Sequence, residues 1–391
     1  VTRLICQEDA YLRSVTTEVV ACTEVDDGHA AVLRETVLYP EGGGQPDDHG
    51  TVGGEQVLGL RWREGQLEHL LPTAVEGQVE VTLDWSRRYD HMQQHTAQHL
   101  LTAVAQDRFG WATCAFHLGV EHSDIELDRP DLPPGALDEL ELQVNAVIRE
   151  DRPVTTRRVA LEEVARLEVR TRGLPDGLAG PVRLVAIEGI DLNTCGGTHV
   201  ARTAELQTIQ LVGIERMRGG TRLYYLAGGR VQQRLGACLE RESALSERLS
   251  CGPVDHVAAV DRLQQELRES RRVQRAVALE LAGFLGRELA RQQGVACLHR
   301  PEAEMELLRA VARAARAERG EPFWALITGG EREGLFLLLG PPERLAEVGP
   351  AVADLLGGRG GGSGELFQGK AERLDRREQA LDLLLQLSPS P

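Results

Sequence analysis

At 391 residues the chain is long enough for two to four domains with ordinary packed cores. Its 42% hydrophobic and 27% charged content excludes a disordered chain, and no apolar run approaches the ~20 residues that span a bilayer. A net charge of −16 argues against non-specific nucleic-acid binding by the whole surface, while leaving room for a local basic groove.

Seven cysteines, odd in number and scattered, do not form a disulfide framework, so reduced thiols are expected, one of them free to serve as a metal ligand. Nothing near Val1 resembles a basic leader followed by an apolar stretch, which makes the cytoplasm the expected compartment. Lys370 is the sole lysine, so nearly all positive charge is arginine.

The predicted elements run as follows. Residues 1–85 read as β structure, a small β-barrel: segments 16–22, 30–38, 50–60 and 79–83 alternate apolar and β-branched residues between Gly- and Asp-rich turns. Within this part Pro40-Glu41-Gly42-Gly43-Gly44-Gln45-Pro46 is a loop whose glycines allow positive φ and close approach to another surface. It is either a barrel turn or a loop that meets substrate through Gly43, Gly44 and Gln45 or packs against the neighbouring domain. From about 86 the period turns helical, with Asp84 or Ser86 available as a cap and Leu100, Leu101, Val104 and Phe109 as an apolar stripe. A strand pair over 113–127, a helix over 137–149, strands near 153–159, 182–187, 205–213 and 222–226 complete an α+β layer over 86–229. Residues 230–292 read as a helical hairpin broken at Cys251-Gly252-Pro253, with a heptad-like seam through Val260, Leu263, Leu267, Val277, Leu281 and Phe284. Residues 293–391 alternate strand and helix as a small α/β domain. Its glycine cluster at 357–364, with Arg359 inside, is read as a linker or as a backbone nest for phosphate, followed by a helix over 370–387.

Two short pairs carry the chemistry. His95-Thr96-Ala97-Gln98-His99 offers imidazoles at i and i+4, one above the other on a helix. Cys195-Gly196-Gly197-Thr198-His199 offers a thiolate and an imidazole flanking glycines, which suits a loop wrapped around an ion. Three imidazoles and a thiolate favour Zn2+ over magnesium or calcium. A zinc peptidase is excluded, because Thr96 stands where His-Glu-x-x-His requires glutamate. Four protein ligands suit a structural zinc, and a catalytic zinc would polarise a substrate group or activate water, with His91 and His117 the nearest proton carriers.

These motifs, with Gly42-Gly43-Gly44-Gln45-Pro46 and Phe116-His117-Leu118-Gly119, resemble the editing domain shared by alanyl-tRNA synthetases and free-standing alanyl-tRNA editing proteins. The tail is similar to the DHH-phosphoesterase-associated C-terminal domain of the same synthetases. The resemblance implies a β-barrel, a two-layer α/β editing domain and a long form with an extra C-terminal domain. It also implies hydrolysis of the ester of alanine tRNA mischarged with serine or, in some members, glycine, without aminoacylation. By this resemblance His95, His99, Cys195 and His199 bind zinc, and Asp191 orients a ligand. Gln98, His117 and Thr198 are the catalytic candidates; Gly43, Gly44, Gln45, Phe116 and Arg359 are candidates for contacting substrate or tRNA. Ala115 departs from the small hydroxyl residue expected before Phe116. The competing reading is a non-catalytic tRNA or nucleic-acid binding protein with a structural zinc. A homodimer through the arm or the C-terminal domain is compatible with both, and no membrane partner is expected.

Overall fold

A computed structural model describes residues 1–170 and 180–387. The chain divides into two compact units, Val1–Ser243 and Ala244–Pro391. The architecture is multidomain α+β, and no helix among the described residues is long and apolar enough to cross a membrane.

In the first unit, alternation of apolar and polar residues buries one face of the strand Gln78–Leu83, while Gly28–Leu33 buries four consecutive residues. The result is a seven-stranded antiparallel sheet ordered Glu55–Gln56, Gly50–Val52, Gln78–Leu83, Ser14–Val25, Gly28–Leu33, Gln66–Leu71, Gly59–Arg63. The long strand Ser14–Val25 pairs first with Gln78–Leu83 and then with Gly28–Leu33, and its register shifts between Val19 and Ala21. An irregularity of this kind bends a strand, so the sheet curls as a half-barrel around Leu33, Leu38, Val52, Leu71, Val81 and Leu83.

The helix Trp85–Phe109 starts where Asp84 accepts hydrogen bonds from Ser86 N and Arg87 N, and it ends at Gly110 with φ 68°. Met92, Leu100, Leu101 and Val104 on this helix pack with Leu140, Val144 and Ile148 of the helix Ala136–Arg149. The same core takes in Phe116, Ile125 and Tyr225 from a four-stranded antiparallel sheet, ordered Thr113–Leu118, Ser123–Leu127, Gly220–Ala227, Ile209–Met217. A third sheet, Val154–Val159, Val182–Ile187 and Asp191–Thr194, leads directly into the second ligand pair.

One buried ion pair joins the helix to the half-barrel. Arg88 and Asp48 have fully buried side chains. The guanidinium donates to both Asp48 oxygens, to Val37 O at 2.6 Å and to Ala10 O at 2.9 Å, and Asp48 also accepts from Tyr39 N at 2.6 Å. Because each charge finds several partners, the desolvation cost of burying it is offset. The loop that carries Gln45 is thereby pinned three residues upstream of Asp48.

The second unit is a five-stranded sheet ordered Ala296–His299, Ala325–Gly330, Gly334–Leu339, Leu366–Ala371, Arg359–Ser363. Alternate residues feed two cores. Ala325, Ile327, Leu337 and Leu339 face Leu285, Leu289, Leu308 and Val311, whereas Leu326, Phe336 and Leu338 face Val348, Val352 and Leu384. Helices therefore cover both faces.

Two expectations for the C-terminal part are corrected here. The glycine cluster is neither a linker nor a nest, because Arg359–Ser363 is an edge strand paired with Leu366–Ala371. Glycine fits where a side chain cannot: a Cβ on Gly360 would lie 2.6 Å from the Phe367 ring, and one on Gly362 would lie 1.9 Å from Leu366 O. The final helix begins at Arg377 rather than 370, because residues 366–371 form the partner strand. The unit boundary falls inside the helix Gly229–Leu249, which has no buried residue. Along the helix His256–Arg291, Val260, Leu263, Leu267, Val277, Leu281 and Phe284 are exposed, while Ala259 near its start and Ala282, Leu285 and Leu289 near its C-terminal end are buried.

Candidate metal centre and its cavity

The two ligand pairs meet. His95 and His99 lie one turn apart on the helix Trp85–Phe109, while Cys195 and His199 lie on the loop that follows Asp191–Thr194. One donor atom from each residue lies within 4.8 Å of the others. Cys195 Sγ stands 3.4 Å from His95 Nε2 and 3.3 Å from His199 Nε2. Sulfur and nitrogen ligands of a tetrahedral zinc, at bond lengths of about 2.3 and 2.0–2.1 Å, are about 3.5 Å apart. The donor set and its spacing fit that ion.

Each imidazole is turned by a different partner on its other nitrogen. Gln45 Oε1 accepts from Thr198 N at 3.0 Å, which identifies it as the amide oxygen, and it lies 2.9 Å from His95 Nδ1. His95 therefore carries its proton on Nδ1 and directs the Nε2 lone pair inward. Asp191 Oδ2 accepts from His99 Nδ1 at 3.0 Å, and Arg170 Nε donates to the other carboxylate oxygen at 3.0 Å. Thr96 Oγ1 lies 3.1 Å from His199 Nδ1 and accepts from Val200 N at 3.2 Å. The residue that excluded a peptidase thus ties the helix to the loop, a role without any signal in the sequence.

Two glycines admit this packing. A Cβ on Gly197 would lie 2.2 Å from His95 Cε1, and one on Gly44, whose φ is +83°, would lie 2.7 Å from the Phe116 ring. The charge pattern suits metal binding. Burial would push the Cys195 thiol up, but His95 and His199 facing the sulfur hold it well below its ordinary range. Burial, with His95 adding to it, pushes His199 down to about 3. His99 is opposed by burial, yet Asp191 and Cys195 raise it to about 9.

Beside the ligands opens a cavity of about 520 Å3, lined by His95, Gln98, His99, Thr102, Thr113, Phe116, Arg170 and Cys195 among others. Gly43 also reaches this lining, and Gln98 Nε2 donates to Thr102 Oγ1, which is 3.0 Å from Thr113 Oγ1. Gln45 and Thr198, read as substrate-binding and catalytic, lie instead outside the lining: both are fully buried, and Gln45 Nε2 donates to Thr198 Oγ1 at 2.9 Å. His117 is also apart from the cavity. Strand alternation buries Phe116 and turns His117 to the other face, where its Nδ1 lies 3.1 Å from Asp124 Oδ1. His91 is buried on the ligand helix, and burial pushes it down to about 4. Arg359 belongs to the second unit, on the exposed edge strand.

A half-barrel, an α/β layer and a three-His, one-Cys cluster able to hold a metal ion beside an open cavity are the features of a hydrolase fold of the editing type. The chain belongs to the family of alanyl-tRNA editing proteins, whose members are deacylating hydrolases acting on mischarged tRNA. It is 40% identical to alanyl-tRNA editing protein Aarsd1 of Mus musculus, with 97% of each chain covered. It is 37% identical to Aarsd1 of Danio rerio over 98% of this chain and 97% of that one, and 27% identical to AlaX-L of Pyrococcus horikoshii over 97% and 96%. Residues 182–224 match the family described as threonyl and alanyl tRNA synthetase second additional domain.

Proposed function

We propose that this protein is a trans-editing hydrolase that cleaves the ester of alanine tRNA mischarged with serine. The observation that carries the reading is the wall of the cavity. Gln98, Thr102 and Thr113 form a hydrogen-bonded chain beside His95 and His99, a polar surface suited to a seryl hydroxyl. A site that hydrogen-bonds a substrate hydroxyl discriminates strongly against the analogue lacking it. Correctly charged alanine is spared on that ground.

His95, His99, Cys195 and His199 would hold Zn2+, which supplies positive charge to polarise and hold the aminoacyl moiety. Around it the chain's own groups do the positioning. Gln45, Asp191 and Thr96 fix the three imidazoles, Phe116 closes the apolar side against Gly44, and Gln98 faces the substrate. An aminoacyl ester is already labile, so orientation and modest electrostatic help suffice.

The editing activity resides in the part around 86–229, with the half-barrel contributing the Gln45 loop. The exposed seam from Val260 to Phe284 supports pairing of two copies through the helical arm, read by sedimentation of the full chain. Seven unpaired cysteines accord with a cytoplasmic setting. Deacylation of seryl-, glycyl- and alanyl-tRNA(Ala) by the pure zinc-loaded protein tests the proposal. Ester loss is expected for the seryl ester and not for the alanyl ester, and the glycyl ester, which also lacks the hydroxyl, reads whether side-chain size adds to the discrimination. A rate equal to buffer in all three, with zinc bound, would return the protein to the non-catalytic tRNA-binding reading.

A further inference from the structure

The ligand loop combines two needs that conflict. Gly197 must lack a side chain because its Cα approaches the His95 ring, and Gly196 stands next to it. A glycine pair has more backbone freedom than any other dipeptide, so between Cys195 and His199 it would let the two donors wander. The structure holds this stretch by its carbonyls. Arg183, nearly buried on the strand Val182–Ile187, donates through Nη1 to Cys195 O and to Gly197 O, each at 2.8 Å. Gln7, in the N-terminal turn Ile5–Gln7, donates through Nε2 to Gly196 O at 3.1 Å. The two clamps are joined: Arg183 Nε donates to Gln7 O at 3.1 Å, and Arg158 Nη2 donates to Gln7 Oε1 at 2.9 Å.

We propose that Arg183 and Gln7 are positioning residues of the metal site, which together hold the three consecutive carbonyls of Cys195, Gly196 and Gly197 and so set how tightly the loop retains its ion. Neither side chain lines the cavity, so neither touches the aminoacyl group. Their effect passes through the loop. A guanidinium can serve two carbonyls and a third acceptor at once because its donors are fixed in one plane, whereas a lysine ammonium in the same place serves as a point donor. Gln7 closes the remaining gap from a segment nearly two hundred residues away, which makes the N-terminal turn part of the site.

This inference rests on the zinc reading above. The experiment measures zinc content, then the rate at which a chelator strips zinc from the full-length protein, with the melting temperature of each metal-free variant as a control. Gln7→Met removes the clamp from a surface turn at nearly constant volume. It is expected to speed zinc release about 10-fold, in the lower part of the range for groups that orient metal ligands, with an unchanged metal-free melting temperature. Arg183→Lys keeps the charge and is expected to release zinc faster than wild type, and Arg183→Met faster still. Wild-type release rates in both Gln7→Met and Arg183→Lys would overturn the positioning roles. A wild-type protein without stoichiometric zinc would overturn the metal reading itself, an outcome separate from the first.

Discussion

Gln45 Oε1 lies 2.9 Å from His95 Nδ1, and through this amide a loop of the half-barrel reaches the first of the two paired histidines on the helix. The same side chain accepts from Thr198 N and donates to Thr198 Oγ1, so it also grips the loop that carries the second pair. Every polar atom of this fully buried side chain is engaged. Replacing it with an apolar residue leaves both segments short of a partner.

Gln45→Leu is therefore expected to lower zinc affinity and deacylation together, each by about 10- to 100-fold, the range found when a partner orienting a metal-bound histidine is lost. Zinc content after dialysis against a weak chelator, beside kcat/KM on seryl-tRNA(Ala), checks it. Loss of activity at full zinc content would move Gln45 to a direct role with substrate.

The Gly197 Cα has no room for a methyl group beside His95. Gly197→Ala is expected to displace the ring and abolish stoichiometric zinc binding while far-ultraviolet circular dichroism stays at the wild-type value. Normal zinc binding in this variant would show that the loop can retreat without cost.

Thr102 and Thr113 present paired hydroxyls to the cavity. Thr113→Val keeps the shape and removes one hydroxyl. The expected result is a fall in kcat/KM for seryl-tRNA(Ala) of about 10-fold, corresponding to about 1.4 kcal/mol, with a smaller effect on glycyl-tRNA(Ala). Equal losses on both substrates would assign the hydroxyl to general packing.

Arg88 and Asp48 form a buried pair whose partners are all satisfied. Arg88→Met leaves Asp48 as an uncompensated buried charge, so unfolding of the first unit is expected to cost about 3–5 kcal/mol less. Urea denaturation followed by tryptophan fluorescence measures the change. Asp48→Asn should fall by a similar amount, because the guanidinium is then the stranded charge.

His69, in the half-barrel, supplies a pH dependence of its own. Burial holds it down at about 4, and its ring nitrogens lie 3.2 Å from Ala31 O and 3.1 Å from Thr36 Oγ1. The folded state thus resists a proton that the unfolded chain accepts near 6.5. The resulting stability is fully present above pH 6.5 and is lost as pH falls from there through about 4. His69→Gln should show a shallower decline in melting temperature across that window than wild type. Parallel declines would remove His69 from the acid sensitivity.

The four residues of the His/Cys cluster could be picked out directly because their signal is local. A helix places i and i+4 on one face regardless of its surroundings, and a cysteine and a histidine flanking two glycines mark a loop free to turn around an ion. Asp84 and Gly110 mark the ends of the ligand helix for the same reason. Other assignments depended on contacts the chain makes with itself at long range. Whether His117 faces the cavity follows from strand parity, and parity is set by which residues the neighbouring strand pairs with. The glycine cluster hid a strand, because strand preference is carried by side chains that glycine lacks. Gln45, Thr96, Arg183 and Gln7 act on groups 50, 103, 14 and 189 residues away, a distance that composition and spacing do not encode. The residues that can bind the ion were thus determined by local sequence, and the direction in which each donor points was decided by the tertiary fold.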